Sequence, residues 1–109
     1  MSPPPDILAQ LSRMEEARRQ TQRQLDQINR QITRRMTVIL PLLQPKQPRY
    51  RRGKAPAPSA FLERYRANLA AITAERQPEI DALERKLGRQ QRAITALRER
   101  FAIQTSHAA

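Results

Sequence analysis

Gln44-Pro45-Lys46-Gln47-Pro48-Arg49-Tyr50-Arg51-Arg52-Gly53-Lys54-Ala55-Pro56-Ala57-Pro58 is the stretch on which the reading of this chain turns. Four prolines and a glycine in fifteen residues cannot continue a helix, because each proline lacks the N–H that a helical turn needs and restricts the residue before it. The stretch therefore reads as a connector, and it divides two long segments of helical composition. It is also cationic: Lys46, Arg49, Arg51, Arg52 and Lys54 fall within nine residues around Tyr50, and no acid occurs between Pro41 and Leu62.

Upstream, residues 6–43 place Leu11, Met14, Arg18, Thr21, Leu25, Ile28, Ile32, Arg35, Ile39 and Leu42 at alternating steps of three and four. That spacing is the narrow seam of a coiled coil rather than the broad stripe of a globular helix. Arg18 and Thr21 weaken the seam, and at Arg35 the neighbouring Met36 is expected to take the contact while the arginine stem snorkels. Glu15 with Arg19 and Asp26 with Arg30 stand in the favourable acid-first i,i+4 order.

Downstream, residues 59–105 read as a second helix with Ser59 as its N-cap. Its seam runs Leu62, Tyr65, Leu69, Ile72 and Arg76, then Ile80, Leu83, Leu87, Gln90, Ile94, Leu97 and Phe101. Two successive steps of four, Ile72 to Arg76 to Ile80, make a stutter that coincides with Pro78. The sequence predicts either a kink there or a break with Pro78 opening a third helix, and the absence of glycine or a turn cluster favours the kink.

These elements predict an all-α chain: an elongated antiparallel helical hairpin with coiled-coil character. Residues 1–5 form a Pro-rich arm and residues 106–109 a frayed tail. The helices would be about 57 and 70 Å long. Val38, Ile39, Leu40, Leu42 and Leu43 are expected to meet Phe61, Leu62, Tyr65 and Leu69 in the densest core of the molecule. The pairing residues are Leu11, Met14, Leu25, Ile28, Ile32, Ile39, Leu62, Tyr65, Leu69, Ile72, Ile80, Leu83, Leu87, Ile94, Leu97 and Phe101. Two stripes bury little surface, so association into a larger bundle, with itself or with a helical partner, is expected.

The composition excludes much else. With 109 residues there is one domain's worth of chain, and with no Cys there are neither disulfides nor cysteine metal sites. Glycine-punctuated strands are absent from the pattern, which argues against a β-sandwich. The longest apolar run, Val38 to Leu43, is far too short to span a bilayer, and Met1-Ser2-Pro3-Pro4-Pro5 does not read as a secretory signal. A cytoplasmic protein is the expectation.

Catalysis finds no support. The single histidine, His107, has no carboxylate near it in sequence, and Gly53 and Gly88 are too far apart for a phosphate loop. Glu15–Glu16 and Glu79–Asp81–Glu84 read as solvated helix faces. No cofactor or metal is expected, and no enzyme.

The net charge of +11 points instead to a polyanion. A basic segment with an aromatic can neutralise phosphates and stack a base. The candidate nucleic-acid contacts are Lys46, Arg49, Tyr50, Arg51, Arg52 and Lys54, extended by Arg34 and Arg35 with Arg30 beside them. A solvated linker kept soluble by charge is the competing reading. The other functional reading is a purely protein-binding coiled-coil adaptor or chaperone, its prolines and seams serving as ligands for another protein. Basic helical hairpins of this shape occur in secretion and mobile-element machineries, but no residue motif ties the chain to either.

Overall fold

The computed structural model describes residues 4–43 and 58–108. They form two α-helices and, among the described residues, no strand: α1 spans Pro5–Leu43 and α2 spans Pro58–Ala108. The fold is an all-α helical hairpin.

Helix α1 opens where chemistry favours it. Pro5 occupies the first helical turn, Asp6 puts a carboxylate at the positive end of the dipole, and the Pro4 carbonyl accepts from the Ile7 and Leu8 N–H groups at 3.0 and 3.2 Å. Helix α2 starts on Pro58, one residue before the expected cap Ser59, because a proline at the first position gives up an N–H that would have had no partner. It runs to Ala108, three residues past the end expected from the sequence. Of the two outcomes offered for Pro78, the break is ruled out: α2 continues through it. The cost is one hydrogen bond, since Pro78 has no N–H to give the Ala74 carbonyl.

The chain divides into two compact units, one made of Met1–Asp26 with Glu79–Ala109 and the other of Gln27–Pro78. On α2 the division falls at the proline where the seam slips phase.

In the first unit, Thr21, Leu25, Ile94 and Leu97 are buried, with Ile94 only 1% exposed. Leu11, Met14, Ile80, Leu83, Leu87 and Phe101 are half-buried beside them. Thr21, expected to weaken the seam, is 1% exposed and satisfied: its hydroxyl donates to the Ala17 carbonyl at 3.1 Å. Its methyl is then what packs. The pairing is antiparallel, fixed by an ion pair from Arg98 to Glu15 across the helices. Glu15 thus serves α2 rather than Arg19, which turns to Glu16 at 2.8 Å, while Asp26 accepts from Gln22 rather than meeting Arg30.

In the second unit, Ile28, Ile32, Met36 and Ile72 are buried. Arg35 bonds Glu75 at 2.6 Å and Arg76 donates to the Gln31 side chain at 2.8 Å, so here too the helices run antiparallel. The densest core is not at the connector end. No residue after Met36 on α1 or before Ile72 on α2 is buried among those described. Val38 is 72% exposed, Leu42 79% and Leu62 46%; Ile39, Leu40, Leu43, Phe61, Tyr65 and Leu69 are half-buried. The reason is geometric: a helix turns 100° per residue, so a run of six apolar residues cannot all face one neighbour. The seam steps Ile32, Met36, Leu40, Leu43, which leaves Leu42 on the solvent side, and at the start of α2 Phe61 and Tyr65 pack as expected while Leu62 does not. Their rings lie 6.4 Å apart.

Candidate polyanion-binding site

The charge is unevenly divided between the two units. From Gln27 to Pro78 the sequence has eleven Lys and Arg against two acids, Glu63 and Glu75, a balance of +9; the remaining ten bases and eight acids give +2. Of the residues predicted to contact a polyanion, Lys46, Arg49, Tyr50, Arg51, Arg52 and Lys54 lie outside the described residues. The helical part of the candidate site is described and contains six arginines.

Those six are not equivalent. Arg30 and Arg34 are exposed, one helical turn apart on α1, and neither has a hydrogen-bond or ion-pair partner among the described residues. Arg35, expected to join them, is held by Glu75, which cancels much of its field. The same contact holds the Glu75 carboxyl below the usual glutamate range, chiefly through the hydrogen bond from Arg35. Arg76 is half-buried and engaged with Gln31. Of the two predicted arginines, Arg34 is thus the one whose charge is not offset by an ion pair among the described residues.

Arg64 does something that the sequence did not suggest. Its Nε and Nη2 both donate to the Leu43 carbonyl, at 3.2 and 3.0 Å. The last turn of α1 contains no basic residue of its own, so a guanidinium from α2 supplies the positive charge that a helix C-terminus favours. The contact also fixes where the chain leaves α1 relative to where it enters α2. Arg66, exposed two residues further along α2 and on its opposite side, adds a sixth cation and has no partner among the described residues. Only a contact between the two helices distinguishes Arg64 from Arg66, which is why spacing did not separate them.

One side of this unit is uncharged. A groove of about 270 Å³ is lined by Thr33, Met36, Thr37, Leu40, Tyr65 and Leu69. Its threonine hydroxyls are spent on their own helix: Thr33 donates to the Asn29 carbonyl at 3.0 Å and Thr37 to the Thr33 carbonyl at 2.9 Å. The groove accordingly presents mostly methyl, thioether and ring surface. Among the described residues no group of three or more His, Cys, Asp or Glu is placed to hold a metal ion, and no helix is long and apolar enough to cross a membrane.

What the arrangement offers chemically is therefore charge and shape: two arginines on α1 without a partner among the described residues, the cation-rich connector sequence that follows them, and an apolar groove. Comparison with known proteins found no matching family, no similar curated protein and no similar solved structure.

Proposed function

We propose that this is a non-enzymatic helical binding protein. Its seams pair with helices, its own or a partner's, and its connector engages a polyanion, most favourably nucleic acid. The observation that carries this is the concentration of +9 of the chain's +11 charges between Gln27 and Pro78, with Arg30 and Arg34, on the helix that leads into the connector, without a partner among the described residues. Counterion release from a polyanion is the largest binding free energy that such a segment can draw on. Replacing Arg49, Arg51 and Arg52 together by Ala is expected to abolish most binding to duplex DNA at low salt without changing helicity. Binding retained by that variant in a titration contradicts the proposal.

A second reading, a protein-binding adaptor or chaperone without nucleic-acid contact, is favoured by the uncharged groove and by exposed Val38 and Leu42. It predicts no gel shift at physiological salt and one dominant helical partner. The two are separated by that gel shift. A cytoplasmic location fits either.

A further inference from the structure

The outward side of α1 carries a row that takes no part in the packing of the two helices among the described residues. Arg30, Arg34, Val38 and Leu42 follow one another at four-residue steps, a row about 18 Å long. All four are exposed, Val38 by 72% and Leu42 by 79%, and exposed Pro41 lies between the last two. The two arginines have no partner among the described residues. Isolated exposed leucines are ordinary, but two large apolar residues one turn apart, continued by two unpaired cations, form an ordered stripe.

We infer that this row is a docking face for an acidic amphipathic helix of another protein. Charge decides the occupant. A second copy of the chain carries the same net charge of +11, and like charges oppose that approach. A nucleic acid satisfies Arg30 and Arg34 but gives Val38 and Leu42 nothing to bury against. A bilayer surface wants a wide apolar face with aromatic anchors, and this row has two aliphatic side chains and no aromatic. The row is an inclined ridge that winds by about 120° around α1, and an antiparallel helix crossing α1 along that ridge can place two apolar residues against Leu42 and Val38 and two carboxylates within reach of the long Arg34 and Arg30 side chains. Recognition of a helix by side chains one turn apart is a common mode, and the charged half sets its direction.

The inference does not depend on nucleic-acid binding, and its test keeps the two apart. The probe is a labelled synthetic helical peptide with two Leu one turn apart followed, at the same spacing, by two Glu. The control is an isomer with these four positions scrambled. Fluorescence polarisation with the full chain should show binding of the ordered peptide and at least about tenfold weaker binding of the isomer. Val38→Ser with Leu42→Ser should weaken binding by about tenfold or more, and these exposed positions leave the fold intact. Arg30→Gln with Arg34→Gln should weaken it and flatten its salt dependence. The variant with Arg49, Arg51 and Arg52 replaced by Ala should bind the peptide as the wild type does, whatever it does to DNA. Equal binding of the scrambled isomer, or an unchanged affinity in the serine variant, overturns the assignment. So does loss of binding to phosphatidylserine vesicles in the serine variant when no peptide binds, which would give the face to a lipid surface.

Discussion

At the scale of single residues, the protein shows how one side chain can be read correctly as a type and wrongly as a role. Arg35 and Arg34 are neighbours in sequence and identical in chemistry, yet Glu75 claims one and leaves the other. The carboxyl of Glu75 is held below its usual value by that contact, so its stabilising effect is complete above the ordinary glutamate range and is lost as pH falls through the lower folded value. Glu16 behaves alike, held down by hydrogen bonds from Arg19 and then Arg23. Both carboxylates are exposed, and their contribution is small. Thermal melts from pH 6 to pH 2.5 should therefore show Glu75→Gln less acid-sensitive than the wild type; equal sensitivity would mean that the pair does not form.

Gly88 offers a cleaner case. A methyl group placed there meets nothing but the end of the Arg92 side chain, with Nη1 at 3.3 Å, which a flexible guanidinium can yield. Gly88→Ala should raise stability by about 0.5–1 kcal/mol, because glycine in a helix interior costs that much in backbone entropy. A loss of stability in denaturant unfolding would show that the helices pack more closely at this point than the structure describes.

At the scale of the helix, most of the fold was legible. The proline-rich connector sequence marks where two helices end and begin, and the three-and-four spacing marks Leu25, Ile28, Ile32, Ile72, Ile94 and Leu97, all buried. The errors fall where local pattern competes with partners that the pattern cannot show. In Val38–Leu43 every residue is apolar, so periodicity carries no phase information, and only the step from Ile32 to Met36 shows that Leu40 and Leu43 turn inward. At Pro78, by contrast, the absence of glycine or a turn cluster points to an unbroken helix, and α2 runs through it. Of the candidate polyanion residues, Arg34 has no partner among the described residues, whereas the restraint on Arg35 and the cap from Arg64 come from contacts 40 and 21 residues away in sequence. Ile94→Ala should cost about 2–4 kcal/mol, since the side chain is nearly fully buried and its removal leaves a cavity. Ile28→Asp combined with Leu83→Asp should unfold the chain or lower its oligomeric state. Unchanged circular dichroism and unchanged mass by light scattering would refute the helix pairing.

At the scale of the whole chain, the central feature is the division of charge. The unit of Met1–Asp26 and Glu79–Ala109 is nearly balanced, while Gln27–Pro78 carries almost the entire excess. Ion pairs across the helices use Glu15 and Glu75, and their acids are too few to neutralise the arginines around the connector. The excess is an electrostatic property of one place, and its binding should be governed by salt. The most direct measurement is the affinity for duplex DNA as a function of salt concentration, in the wild type and in the variant with Arg49, Arg51 and Arg52 replaced by Ala. If the five connector cations each displace a counterion, log K should fall with log salt at a slope of about −4.5, and the triple variant should lose about 2.7 of that slope. A slope near zero in the wild type, or the same slope in both proteins, would contradict the account.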